Sequence, residues 1–451
     1  MIKSLRNAFK IPDLRKKILI TLGLIAVYRL GCYIPTPGIN SQALSQYFQR
    51  IAQTQGGTLF GFMNLFSGGA LSRMTVFGLG IMPYISASII MQLLTAVVPF
   101  LEKLSKEGRA GHLKINQYTR TLTVFLCFLQ GYFISLWLEN PSRFQGLVIV
   151  ENPGWTFRII TMFTLTCGTM FVMWLGEQIQ ERGIGNGISL IITCSILSRI
   201  PSALTQLFIM VSSRQPSLRQ LDPLTLVFLL ALWLASLMGV VLITQSQRRI
   251  PIQYARRIIG RKVYGGTSTF LPIRVDQAGV IAIIFAQSVI MFPATLTTFF
   301  PNPRLQLIAQ KLFQHGLFYN IIYAGLIIFF MYFYTAIVFN PIEVAGNLKK
   351  YGGFIPGVRP GEQTANFLDF VVGRITFAGA LFVSFIAIFP NVVMKIFALP
   401  SYRVASFFGG TTLLIVVGVM LDTVRQLESQ LLLRHYDGFT TSGRLRARRS
   451  Y

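Results

Sequence analysis

The sequence is short of charge, and above all of acid: 15 Asp and Glu stand among 451 residues, and charged residues of both signs make up only 12%. Soluble domains are roughly a quarter charged, so an ordinary soluble enzyme is excluded, and a hydrophobic content of 53% excludes a disordered chain. The four cysteines (Cys32, Cys127, Cys167 and Cys194) fall inside apolar stretches without C-x-x-C spacing, which suggests neither a disulfide framework nor a zinc site. His112, His315 and His435 lie in loops or at the end of an apolar run. No Asp, Glu or His falls near the middle of such a run. Ion-coupled transporters usually keep ionisable groups at that depth to hold the coupling ion. Their absence weakens a small-solute transporter reading and removes intramembrane metalloprotease and paired-carboxylate chemistry. Ser86, Ser88, Ser189, Ser195 and Ser288 have no His or Lys partner in the runs, so they read as packing or back-bonded residues rather than nucleophiles. The stretch Gly183–Gly187 (GIGNG) follows a helical pattern and matches neither dinucleotide-binding nor P-loop spacing, so it reads as a turn.

What the chain does have is apolar length. A helix needs about 20 mainly apolar residues to cross hydrocarbon. Helices are predicted over 18–35, 74–99, 121–138, 157–176, 184–211, 223–245, 277–298, 315–339, 372–392 and 404–424. The runs are continuous rather than alternating, which argues against barrel strands. The first seventeen residues are polar and basic and lack an A-x-A-like site, so no cleavable signal is expected. The 41 Lys and Arg give a net charge of +26, and they cluster between the runs. One alternating set of connecting segments holds 29 of them and the other 10, with Arg29 and Arg73 in or beside runs. The positive-inside rule then places both termini in the cytoplasm. Charge so confined needs acidic partners outside the bilayer: lipid head groups, RNA phosphates or acidic protein faces. Ten runs divide as five plus five about the segment 200–222, which makes an inverted two-half architecture plausible.

Four stretches carry a resemblance. LFSGGALSRMTVFGLGIMPYISASIIMQLL (65–94), GTMFVMWLGEQIQERGIGNGISLII (168–192), FNPIEVAGNLKKYGGFIPGVRPGEQT (339–364) and FFGGTTLLIVVGVMLDTVRQ (407–426) resemble the SecY family of bacterial protein-conducting channels, in the same order along nearly the whole chain. Ala282 departs from it, standing where proline is common, and 103–115 and the tail after Tyr436 are less typical. The resemblance implies an all-α polytopic membrane protein with ten transmembrane helices in two pseudo-symmetric five-helix halves. These would be 1–199 and 223–426, joined by an external hinge segment 200–222 and followed by a basic cytoplasmic tail 427–451. It implies a channel in the bacterial inner membrane that passes unfolded secretory proteins and releases transmembrane segments into lipid. It implies no enzyme activity and no cofactor. The implied partners are small SecE-like and SecG-like subunits, the SecA motor, the ribosome, and nascent chains with their signal peptides. Anionic lipids are a further partner of the basic loops.

The resemblance also assigns residues. Ile81 and Ile85 share one helix face at i, i+4, and Ile188 and Ile192 repeat the spacing. With Ile284 and Ile415 they would form an apolar pore ring that excludes water by dewetting yet parts for a peptide. The segment 58–72 is too short to span and is broken by Gly68 and Gly69; with Phe60, Met63, Leu65 and Phe66 it would be a plug, or otherwise an interfacial helix. Gln92, Thr95 and Gln130 on one side and Gln287 and Ser288 on the other would make a weak polar lateral gate, or serve as simple packing polars. The cytoplasmic loop 246–274 carries Arg248, Arg249, Arg256, Arg257, Arg261 and Lys262; IPIQYA alternates like a strand and Gly265–Gly266 suggests a hairpin turn. Arginine's planar fork suits phosphate, so this loop would meet ribosomal RNA and the motor, or anionic lipid alone. In the second loop, 340–371, Arg359 matches the family's critical arginine for engaging motor or ribosome. The competing readings are a small-solute secondary transporter and an intramembrane enzyme, the latter lacking a visible nucleophile and base.

Overall fold

Apolar run lengths set the helices, and glycine and proline decide where they break. The computed structural model describes residues 11–54, 64, 67–140, 144, 147–212, 223–254, 257–259, 262–264, 268–299, 316–396 and 409–442. The helices are α1 (Pro12–Gly31), α2 (Ser41–Thr54), α3 (Met82–Val97), α4 (Pro99–Lys106), α5 (Arg109–Leu138), α6 (Trp155–Arg182), α7 (Gly187–Leu197), α8 (Ile200–Ser212), α9 (Pro223–Gln245), α10 (Gly279–Phe299), α11 (Leu317–Val338), α12 (Pro341–Lys350), α13 (Glu362–Ile396) and α14 (Thr411–Ser442). Among the described residues, six helices are long and apolar enough to cross a membrane, or seven if α3 and α4 count as one bent span. Two further apolar runs fall short by this measure for electrostatic reasons. α1 carries Arg15, Lys16, Lys17 and Arg29, and α14 carries Asp422, Arg425 and Glu428.

The chain divides into two compact units. The first comprises residues 1–51, 60–200 and 419–451. At its centre α5 packs along α6, with α3 against α5 and α1 against α6. Gly131 lets the α6 backbone approach: a Cβ there would lie 3.2 Å from the Met162 Cα. Ion pairs clip both ends of this helix pair. Arg120 donates to both oxygens of Glu177 at 2.7 and 2.8 Å. Arg158 donates to Glu139 through Nε and Nη2 at 2.9 and 2.7 Å, and the Gly154 amide donates to the same carboxylate at 3.0 Å.

The second expected run, 74–99, is helical only from Met82 to Val97. Residues 74–81 form turns instead, because Met74 sits at φ 45° and Gly80 at φ 59°. Their amides are satisfied locally and by the strand-like exit of α1: Thr36 N donates to Met74 O and Val76 N to Ile34 O, both at 3.0 Å. At the other end Val98 is extended, Pro99 starts α4, and the axis bends by 97°. On α4, Lys106 donates to Glu102 at 2.6 Å and holds that carboxyl below the usual carboxylate range. The run 184–211 holds α7 and α8, which follow one another without a sharp bend and together make one of the six spans, Gly187–Ile209.

The second unit comprises 52–59 and 201–418. α11 packs on α10 and α13, and α12 on α13. α9 buries little of itself in the chain. Asn391, next to Pro390 within α13, donates to Asn320 of α11 at 2.8 Å. Between α9 and α10 the chain forms β1 (Gln247–Tyr254), β2 (Arg257–Ile259), β3 (Lys262–Tyr264) and β4 (Ser268–Arg274). β1 and β4 pair antiparallel from Gln247↔Arg274 to Gln253↔Ser268, and β2 pairs with β3. The short β5 (Gly353–Phe354), from the connection between α12 and α13, adds to the other edge of β1. Ile250 and Ile273 of this sheet bury against Ile355 and against Leu368, Val371 and Val372 of α13.

Three substitutions test this packing. A Cβ at Gly168 of α6 would overlap the Val76 carbonyl. Gly168→Val is expected to lower stability by about 1–3 kcal/mol, read as the midpoint of thermal inactivation in detergent. Gly23→Ala in α1, with nothing within 4 Å, is expected to be neutral or slightly stabilising. Leu368 is fully buried under the sheet. Leu368→Ala is expected to cost about 2–5 kcal/mol locally and to raise the rate of protease cleavage in 246–274; unchanged cleavage would contradict the docking.

Candidate functional site: helix starts, a glycine hinge and a basic sheet

A shared local pattern places the candidate pore isoleucines. Each of the four helices that carry them starts at a glycine of positive φ or just after one: Gly80 (φ 59°) before α3, Gly185 (φ 93°) before α7, Gly279 (φ 59°) at the start of α10 and Gly410 (φ 79°) before α14. Ile81 caps α3 and Ile85 follows one turn on, with Ile85 N bonded to Ile81 O at 3.1 Å. Ile188 and Ile192 occupy the first two turns of α7, Ile284 the second turn of α10 and Ile415 that of α14. Ile81, Ile85, Ile192, Ile284 and Ile415 are buried, and Ile188 is half-buried. Ile81, Ile85, Ile188 and Ile192 belong to the first unit, and Ile284 and Ile415 to the second.

Within the first unit, the GIGNG stretch is a turn. Asn186 caps α7 by accepting from Ser189 N at 3.2 Å. Gly187 abuts the Gly176 backbone so closely that a Cβ would not fit. Thr21 of α1 accepts from Ile184 N at 3.1 Å, and Gln426 of α14 accepts from Gly185 N at 3.0 Å. Leu14, Ile184 and Leu427 bury together beside it. The turn therefore ties α1, α6, α7 and α14 at one point, a role its glycine spacing alone did not reveal.

Of the candidate plug, Phe60, Met63, Leu65 and Phe66 lie outside the described residues. Gly68 and Gly69 are described, at φ 64° and 95°, where a side chain would be strained. A Cβ on Gly68 would lie 3.1 Å from the Ser195 Cα. Sequence reasoning missed Asn64, which organises this hinge. It is buried, and its Oδ1 accepts from Ser72 N at 3.0 Å while its carbonyl accepts from Gly69 N at 3.1 Å. An Asn ahead of S-G-G is a turn-former, and that signal was present.

The lateral-gate candidates fall on three helices. Gln92 donates to Ser88 at 3.4 Å and Thr95 to the Met91 carbonyl at 2.7 Å, both within α3. Gln130 is half-buried on α5. In the second unit, Ser288 donates to Ile284 O at 2.8 Å, and among the described residues Gln287 Oε1 is buried without a hydrogen-bond partner. Thr95 and Ser288 thus spend their protons on their own helices, leaving only acceptor capacity for a partner.

Outside the spans, Arg248 and Arg249 are exposed and successive on β1, so they point to opposite faces. Arg257 and Lys262 contribute backbone to β2 and β3, and Arg256 and Arg261 lie outside the described residues. Arg359 is exposed between two positive-φ glycines, Gly357 and Gly361. Its carbonyl accepts from Thr364 at 2.8 Å. Val358, beside it, packs on the cluster that anchors the hairpin. The structure thereby joins two arginine-bearing segments, about a hundred residues apart, in one body. Among the described residues no group of His, Cys, Asp or Glu is arranged to hold a metal ion.

Comparison with known proteins agrees with this geometry. The SecY family model matches residues 75–424. Protein translocase subunit SecY of Aquifex aeolicus is 46% identical over 440 residues, covering 97% of this chain and 99% of that protein. Its counterpart from Thermotoga maritima is 43% identical over 453 residues, covering the whole of both, and that from Streptomyces coelicolor is 47% identical over 448 residues, covering 97% of this chain and 100% of that protein. A solved protein conducting channel shares the fold at TM-score 0.60 and 17% identity, covering 94% of this chain and 96% of that one. Sec61 in a canine ribosome-channel complex does so at 0.54 and 15%, with the same coverage. With the family model spanning most of its length and relatives this similar from end to end, the chain belongs to the SecY family.

Proposed function

We propose that the chain is the protein-conducting channel subunit of a Sec translocase, passing unfolded secretory proteins across a membrane and releasing transmembrane segments sideways into lipid. The observation that carries this is the 43–47% identity to translocase subunits over 97–100% of the chain. Reconstitution tests it directly: proteoliposomes are expected to import a preprotein with SecA and ATP, and solute counterflow without them would contradict the reading.

Ile81, Ile85, Ile188, Ile192, Ile284 and Ile415 form the dewetted constriction. Glycine-started helices support this, because they set rigid apolar side chains at defined heights beside a break. The segment 58–72 is the plug, and the Gly68–Gly69 hinge tied by Asn64 supports a fixed root. Gln92, Thr95, Gln130, Gln287 and Ser288 line a lateral gate. Hydrogen bonds between membrane helices average under about 1 kcal/mol, and the back-bonding of Thr95 and Ser288 makes the seam weaker still. The halves are 1–199 and 223–426 with 200–222 as hinge; the contact division at residue 200 supports the end of the first half, while 419–426 pack with the first unit. The chain lies in the plasma membrane of a bacterium, which its likeness to bacterial translocase subunits supports, with both termini in the cytoplasm, which the distribution of Lys and Arg supports.

Arg248, Arg249, Arg256, Arg257, Arg261, Lys262 and Arg359 form the docking face for ribosomal RNA phosphates and for the SecA motor. The sheet shared by β1, β4 and β5 supports one rigid platform rather than two independent loops. SecE-like and SecG-like subunits complete the assembly, and α9, which buries so little in this chain, has apolar surface for membrane neighbours or lipid.

Replacing both Ile85 and Ile192 by glycine is expected to raise ion leakage about tenfold or more, because the ring widens enough to hold a water file. Conductance equal to the parent would remove these residues from the constriction. Arg359→Glu is expected to cut translocation about tenfold or more by placing a like charge against an acidic partner, with membrane insertion unchanged. Normal export would remove that role.

A further inference from the structure

The candidate mechanism leaves an amide pair of the second unit unused. Asn320 is the only Asn or Gln in α11, and Asn391 the only one in α13 after Asn366. An amide buried alone among apolar helices is costly, and the fold brings these two together: Asn391 Nδ2 donates to Asn320 Oδ1 at 2.8 Å. Asn391 is buried and Asn320 half-buried. The bond sits beside a weak point. Pro390 has no N–H, so the Ile386 carbonyl loses its helical donor and α13 is less stiff there.

The turn that starts α14 lies against this proline. A Cβ on Gly410 would overlap the Pro390 ring and lie 3.4 Å from the Ala387 carbonyl, and a Cβ on Gly409 would lie 2.8 Å from the Phe389 ring. Leu414 N donates to Gly410 O at 3.1 Å, so the hydrogen-bond ladder of α14 begins at that turn. Ile415 comes next. Three residues further, Gly418 abuts α10, where a Cβ would overlap Val280, one turn before Ile284. All of these residues belong to the second unit. The start of α14 is thus held by α13 at Gly409–Gly410 and by α10 at Gly418, with Ile415 between. We propose that Asn391 and Asn320 are positioning residues for Ile415: their hydrogen bond holds the proline break of α13 against the glycine turn, and so keeps Ile415 at its resting place in the constriction. The inference rests on the constriction reading given above. Without the bond, conformers with Ile415 displaced gain population by the Boltzmann factor of the energy lost.

Resting ion leak through the reconstituted channel with its partner subunits tests this. Asn391→Ala is expected to raise it about threefold, equivalent to about 0.7 kcal/mol, within the range for hydrogen bonds between membrane helices. Asn320→Ala should raise it by the same factor, and the double variant by no more than either, because only one bond is lost. Asn320→Asp keeps the acceptor, in a first helical turn that favours negative charge, and should leave the leak at the parent level. In an Ile415→Gly background, Asn391→Ala should add nothing. A parent-level leak in Asn391→Ala, full additivity of the two Ala variants, a raised leak in Asn320→Asp, or a threefold effect that persists without Ile415 would each overturn the proposal, because the amides would then act through general packing or not at all. Ile415→Gly alone separates the two readings. A parent-level leak there would remove Ile415 from the constriction and this inference with it, whereas a raised leak there beside a silent Asn391→Ala would overturn this inference only.

Discussion

Hydrocarbon accepts neither an unpaired backbone amide nor an isolated charge, and that intolerance organises this protein. It forces the spans to be helical and pushes Lys and Arg into the connections. It also makes every break in a helix expensive unless the freed amides find partners inside the protein. The breaks at 74–81 and 183–186 are satisfied in this way: Ile34 O accepts from Val76 N, Thr21 from Ile184 N and Gln426 from Gly185 N. The candidate pore isoleucines all follow such breaks. A continuous helix could carry isoleucine anywhere along its length. A helix that starts at a glycine turn fixes the height and direction of its first side chains through bonds to other elements, which is what a constriction needs.

The sheet outside the spans obeys a different constraint. There water satisfies loops, so a sheet is needed only where a surface must be rigid. The pairing of β1 with both β4 and β5, and the burial of Ile250, Ile273 and Ile355 on α13, turn two arginine-bearing loops into one platform mounted on a spanning helix. Arg249 and Arg359 thereby belong to one body seated on α13 rather than to two separate loops.

Much of this was legible in the residues, and the exceptions share a cause. Apolar length located the spans, alternation in IPIQYA located β1, and the GIGNG spacing was correctly a turn rather than a phosphate cradle. Span ends were less legible: 74–99 shortened to Met82–Val97 because Met74 adopts a left-handed conformation that its side chain does not advertise. Long-range partners were invisible. Nothing in the sequence pairs Gln426 with Gly185 or Glu139 with Arg158, since each pair is made by tertiary packing between segments whose local patterns are complete without it. Asn64 has the chemistry of a turn-former, but Gly68 and Gly69 after it carry the stronger turn signal, and its capping of Ser72 N spans eight residues that no local pattern links.

The central claim is that secretory chains pass through an apolar waist built from isoleucines at helix starts. Cysteines at Ile85 and at Ile415, each tested against a single cysteine in a preprotein arrested midway, test it most directly. The account predicts disulfide crosslinks from both positions to the arrested chain and none from a cysteine at Leu224, which is 83% exposed on α9. Crosslinks from Leu224 alone, or none from Ile85 and Ile415 with the chain demonstrably arrested, would contradict it.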